Sequence, residues 1–258
     1  MTQQERRTYL IEYLKNEEDS LKEITVPEDE KAQKKLLRSL MNIRSPKAIS
    51  EEFIAIQDDY LRQEQVSKGV VSLKDLSPVQ PGLYLWQGDI TTLAVDAIVN
   101  AANSALLGCF VPCHGCVDNA IHSAAGVQLR LECSHIMEQH KVEETGKAKI
   151  TKAYNLPCRH VIHTVGPIIR DVVTKKDCDL LADCYRSSLE LATTYGLKSI
   201  AFCCISTGEF HFPNDKAAQI AIEVVKAYQK TNPSGPEVIF NVFKTSDYEI
   251  YSQLLRSN

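Results

Sequence analysis

Apolar positions change their spacing once along this 258-residue chain. Up to about residue 65 they recur at helical intervals. Leu10, Ile11, Tyr13 and Leu14 form one stripe, and Leu36, Leu37, Leu40 and Met41 a second, the spacing that gathers side chains on one face of a helix. The second follows Pro27, a residue tolerated in a first helical turn. A third helix is predicted after Ser50, a natural N-cap, with Phe53, Ile54, Ile56, Tyr60 and Leu61 on its apolar face. Residues 67–82, SKGVVSLKDLSPVQPG, hold two glycines and two prolines and read as a link or edge segment. The expected division is a helical N-terminal extension over residues 1–70 and a second unit over 71–258.

From Leu83 onward short β-rich runs alternate with helical stretches. The runs are LYLWQGDI, DAIVNAAN, KITKAYNL, HVIHTV, SIAFCCIS and EVIFNVF. Val117 to Met137, Asp177 to Tyr195, Asn214 to Gln229 and Ser246 to Leu255 carry the 3.6-residue period of helices. Such alternation predicts an α/β sheet layered between helices. Ligands of these sheets bind beyond the carboxyl ends of strands. The segments to search are therefore NAAN (100–103) and STGEFHFP (206–213), each following a predicted strand.

Composition excludes more than it identifies. Apolar residues make up 44% and charged residues 24%, proportions of an ordinary folded chain rather than a disordered or fibrous one. The net charge of -4 comes without a block of like charges, so neither a nucleic-acid arm nor a membrane-surface patch is expected. The N-terminus lacks the apolar stretch of an export signal, and no run of about 18 apolar residues occurs; the expectation is a cytoplasmic, membrane-free protein. Nine cysteines is an odd number, in a chain too long to need disulfide staples. That favours reduced thiols or metal ligands.

The cysteines are unevenly spread. GCFVPCHGCVDNAIH (108–122) packs Cys109, Cys113, His114 and Cys116 directly before Asp118. Pro112 to Cys116 matches half of a zinc-deaminase signature, but that chemistry needs an upstream H-x-E, and no histidine precedes His114. Cys113 and Cys116 also form a C-x-x-C pair without the strand that precedes it in redox folds. Elsewhere, Ser206, Thr207 and Gly208 at a strand end could turn backbone N–H groups toward an anion, or form only a turn. Asp118 could act chemically, cap the helix that begins there, or both.

Read in order, QGDIT, DAIVNAANSALLG, VDNAIHSAAG, HVIHTVGP, CCISTGEFHFP and VIFNVF resemble the blocks of a macrodomain, the module that binds ADP-ribose. The resemblance implies a three-layer α/β/α sandwich with a mixed central sheet, the N-terminal helices lying outside it. It implies that Asp89 accepts from the adenine amino group, that Ile90 beside it also binds ADP-ribose, and that Phe243 packs on the adenine ring. Ser206, Thr207 and Gly208, with Glu209 next to them, would line the diphosphate, and Phe210 the distal ribose. Asn103 and Asp118 would face that ribose's hydroxyls and its reactive carbon.

One interval departs from the common macrodomain pattern. Where a glycine-rich loop usually stands, this chain has GCFVPCHGCVD. Cys109, His114 and Cys116 resemble the zinc ligands of a bacterial branch of the family. Thiolate and imidazole are donors zinc prefers, and three protein ligands leave a fourth position open. Cys113 is then a spare thiol or an alternative ligand, and His122 reads as a satisfied histidine on the inner helix face. The resemblance implies a zinc-dependent hydrolase removing mono-ADP-ribose from protein side chains, O-linked to an acidic residue. It further implies a lipoyl-carrying substrate related to the glycine-cleavage H protein, modified by a sirtuin-class ADP-ribosyltransferase. A monomer is expected. The competing reading is a module that retains ADP-ribose without cleaving it, its zinc purely structural.

Overall fold

The computed structural model describes residues 1–139 and 142–257. Three helices open the chain: α1 (Gln3–Asn16), α2 (Glu30–Ile43) and α3 (Glu51–Lys68). Each starts on a side-chain cap. Thr2 accepts from the Glu5 amide, Asp29 from Ala32 and Ser50 from Phe53, satisfying N–H groups that have no partner within the helix. Pro27 therefore lies just outside α2 rather than in its first turn. The three apolar stripes meet in one cluster of Leu10, Ile11, Leu14, Leu37, Leu40, Met41, Phe53, Tyr60 and Leu61, joined by Val127 from the second unit. The helical layer and the second unit share that core.

The link after α3 docks through β1 (Val71–Ser72), which pairs in parallel with β4 (Leu93–Ala94). A seven-stranded sheet comprises β2 (Pro78–Gln80), β3 (Leu83–Gln87), β5 (Ala97–Ala101), β6 (Ala148–Lys152), β7 (His160–Thr164), β8 (Ser199–Phe202) and β9 (Glu237–Val242). Its order is β2-β3-β9-β8-β5-β7-β6. The inner strands are parallel and the two edges antiparallel, the mixed sheet expected. Central β5 reads AIVNA because both its faces are covered, which removes the polar alternation of a half-exposed strand.

Helices α6 (Lys175–Thr194), α7 (Asn214–Thr231) and α8 (Thr245–Ser257) pack on one another and on the sheet, while α4 (Val117–Ala125) and α5 (Val127–Met137) make the other helical layer. The N-terminal helices stack outside α4 as a further layer. The single helix expected from Val117 to Met137 is two, broken at Gly126, whose φ of +99° and ψ of 176° no helix accommodates. No helix among the described residues is long and apolar enough to cross a membrane.

Candidate active site

The parallel strands end on one side of the sheet, so the residues after β3, β5, β8 and β9 share an edge. Asn103 stands just past β5. Its Nδ2 donates to Gly108 O at 3.0 Å and to Asp118 Oδ2 at 3.4 Å, while its Oδ1 accepts the Ala105 N–H. Asp118 is buried near the start of α4. The helix is capped not by Asp118 but by Cys116, whose Sγ accepts the Asn119 N–H at 3.4 Å. Asp118 Oδ1 takes a 2.7 Å bond from Asn100 Nδ2. Burial pushes its carboxyl up to about 6, against the opposing pull of that bond and of Arg130. At neutral pH it is chiefly an anion poised to take a proton.

His122, one turn along α4, is not the satisfied histidine expected. Neither ring nitrogen has a hydrogen-bond partner. Burial, then His163 and Arg130, hold its pKa well below 6.5, so its 3.5 Å approach to Asp118 is a contact of a neutral ring rather than an ion pair. The ring packs on Gly108, where a Cβ would lie 2.7 Å from its Cγ. Behind Asp118, Asn100 Nδ2 also sits 3.1 Å from His163 Nδ1. An amide NH₂ only donates, so Nδ1 accepts and the ring hydrogen belongs on Nε2, facing Thr151 Oγ1 at 3.0 Å and Cys133 Sγ at 3.8 Å. His122, Cys133 and His163 lie close enough to hold a metal, but this tautomer gives the cluster an N–H where a ligand needs a lone pair.

The donor atoms of Cys109, His114 and Cys116 all lie within 4.8 Å of one another, on half-buried side chains. Two observations fit this trio to zinc. His114 Nδ1 is buried without a hydrogen-bond partner. The other donors are two cysteine sulfurs, which with an imidazole make the donor set zinc prefers. Cys113 stands apart from the trio. With φ of +52°, it turns its sulfur to Lys35 O at 3.3 Å and Ser39 Oγ at 3.2 Å on α2.

After β8, Ser206 is buried at φ of +64° with its Oγ unpartnered. A Cβ on Gly166 would collide with that oxygen. Thr207 Oγ1 donates to Cys204 O, and a Cβ on Gly208 would meet open space. Exposed Glu209 approaches His114 Nε2 at 3.7 Å, joining this loop to the cysteine loop. Phe210 is half-buried, its carbonyl accepting the Ile169 N–H. At the β3 end, Asp89 Oδ1 accepts from the Thr91 amide and hydroxyl, Oδ2 lies 3.4 Å from Lys68 Nζ, and Ile90 is buried. Phe243, past β9, is 75% exposed, so it is no core residue.

Several residues of this neighbourhood escape a reading of the sequence. Asn100 is polar in an otherwise apolar strand, a signal the sequence does carry. Asn119, Arg130 and Arg38 carry none, because they act through main-chain carbonyls and through an Arg38–Asn119 contact between residues 81 positions apart.

A layered α/β sandwich with a buried carboxylate, an asparagine and a trio of two cysteines and a histidine along one strand-end edge defines the class. The chain belongs to the macro domain family. Residues 99–221 match the Macro domain model. A protein-ADP-ribose hydrolase of Treponema medium is 54% identical, aligned over 99% of this chain and all of that one. The Trypanosoma brucei macrodomain in complex with ADP-ribose superposes with a TM-score of 0.66 at 33% identity, covering 83% of this chain and 94% of that one. The Oceanobacillus iheyensis macrodomain with ADP gives 0.63 at 39% identity, covering 68% and 90%.

Proposed function

We propose that this chain is a protein-ADP-ribose hydrolase that releases mono-ADP-ribose from an acidic side chain and uses zinc to do so. One observation carries the reading: the ionisable Asp118 and the trio Cys109, His114 and Cys116 converge on the first turn of α4. The hydrolase name of a relative aligned over nearly the whole chain supports it.

In this reading Asp89, Ile90 beside it and Phe243 hold the adenosine end. The loop Ser206, Thr207, Gly208 and Glu209 faces the diphosphate, and Phe210 the distal ribose. Asn103 fixes the ribose hydroxyls. Cys109, His114 and Cys116 hold zinc, which when bound supplies Lewis-acid polarisation of an oxygen near the scissile bond. Asp118 takes a proton from water as the water oxygen bonds to the anomeric carbon or the ester carbonyl. The carbon–oxygen bond of the linkage breaks, its electron pair leaves on oxygen, and that oxygen takes the proton back from Asp118. Free ADP-ribose and the unmodified carboxyl group result. On family resemblance alone, the modified protein is a lipoyl carrier related to the glycine-cleavage H protein, and its writer a sirtuin-class ADP-ribosyltransferase.

Incubation with a protein mono-ADP-ribosylated on glutamate, with and without a chelator, tests this, release being followed by mass spectrometry and fold by circular dichroism. Release that stops on chelation with the fold intact is expected. Binding without release at every zinc level sinks the hydrolase reading. Release indifferent to chelator removes zinc from it.

A further inference from the structure

The cysteine loop is held by the N-terminal helices as well as by its own domain. Arg38 of α2 reaches across with Nε and Nη2 to Asn119 Oδ1, at 3.1 and 2.6 Å, and with Nη2 to the carbonyl of His114 at 3.1 Å. Asn119, fully buried, passes the contact on: its Nδ2 donates to Val111 O at 2.9 Å and Cys109 O at 3.4 Å. Asn42 Oδ1 accepts the Cys113 N–H at 2.9 Å. From the other side, Arg130 of α5 donates to Leu107 O and, with Nη1, to the carbonyls of Met41, Asn42 and Arg44 at 3.2, 2.7 and 2.5 Å. The Met41 and Asn42 carbonyls lie at the negative end of α2, and Arg44 is its C-cap.

We infer that α2 is a positioning element of the metal loop, with Arg38 and Asn42 as positioning residues that set zinc affinity without touching zinc or substrate. The inference rests on the zinc reading above. Of the three carbonyls that Arg38 and Asn119 grip, two belong to ligand residues, His114 and Cys109, and the third to Val111 between them. A tripod on an irregular segment of chain keeps its geometry only if the backbone between ligands is fixed, and outer partners of metal ligands typically tune affinity by about 10–100-fold. Here the outer partners come from outside the sandwich. The same contacts explain the spare thiol: Cys113 is a loop anchor, its sulfur and amide both spent on α2.

The test uses the full chain. Arg38→Ala and Asn42→Ala are compared with Arg6→Ala, which removes an ion pair to Asp59 between α1 and α3 of the same helical layer. Zinc affinity is read by competition with a chromophoric chelator, ADP-ribose affinity by calorimetry on zinc-free protein, and backbone order by amide exchange over residues 109–117. The two loop-side variants are expected to bind zinc about 10-fold more weakly and to exchange faster over 109–117 with zinc removed. ADP-ribose affinity should stay at the wild-type level, and Arg6→Ala should match wild type throughout. Wild-type zinc affinity and exchange in both loop-side variants overturn the inference, as does an equal loss in Arg6→Ala. Should wild type take up no zinc, the zinc reading falls and the exchange measurement alone decides whether α2 orders the loop. If Arg38→Ala does not fold, Arg38→Lys replaces it. An ammonium cannot reproduce the guanidinium fork, so weaker zinc binding is still expected, and wild-type binding overturns the inference.

Discussion

Asp118 shows how one buried carboxylate is prepared for proton transfer. Burial raises its pKa, and the bonds from Asn100 and Asn103 keep its two oxygens aimed. Asp118→Asn preserves shape and polarity but cannot accept a proton. Single-turnover release of ADP-ribose should fall by about 10²–10⁴-fold, the usual worth of a general base, with ADP-ribose affinity changed only a few-fold; unchanged turnover would remove Asp118 from the chemistry. The cluster of cysteines and a histidine before Asp118 stands out in the sequence by its side-chain types, whereas Asn103 and Asp118 are pointed to by the macrodomain resemblance. The work of Asn100 is not legible there, since its two-way bond to Asp118 and His163 depends on strands β5 and β7 being paired in register. His122 departs from expectation for the opposite reason: spacing places it on the inner face correctly but says nothing about the missing partners for its nitrogens.

At the scale of elements, the helices and the six longer strands are legible because each buries a face, and burial imposes a period. The short strands are not. β1, β2 and β4 span two or three residues each, too few for any period to register. The break between α4 and α5 is also hidden, because apolar residues continue on both sides of Gly126 and nothing in the sequence distinguishes a tolerated glycine from an obligatory one. The structure does. A Cβ at Gly126 would lie 2.6 Å from Gln57 Nε2, and Gln57 Oε1 accepts the Val127 N–H at 3.0 Å, capping α5 from within α3. Gly126→Ala should cost about 1–3 kcal/mol in urea unfolding, from the unfavourable φ and the displaced glutamine together. A loss under about 0.5 kcal/mol would mean the break tolerates a side chain.

Over the whole molecule, buried histidines set the acid limit of stability. Burial lowers His163 from 6.5 to about 4, so the folded ring is neutral where the unfolded ring binds a proton. Its contribution is fully present above about pH 6.5 and drains away as pH falls toward 4, a loss of about 3 kcal/mol. Asp118, raised rather than lowered, has the opposite sign and is common to wild type and a His163→Gln variant, so it cancels between them. Zinc-free wild type should lose about 3 kcal/mol more than His163→Gln between pH 7 and pH 4 in urea titrations; parallel profiles would show that His163 protonates as readily in the fold as outside it. The order of the sheet carries a further consequence, for the time at which the site comes into being. β3 is an early strand, yet its parallel neighbour β9 is the last one, and parallel pairs this distant in sequence close late. On the ribosome, the helical layer and the cysteine loop can assemble while β3 still waits for its mate. Asp89 and Phe243, which follow those two strands, are the last of the proposed ligand contacts to meet, so a nascent chain stalled before residue 237 would have its cysteine loop without the β3–β9 end that the proposal assigns to adenine.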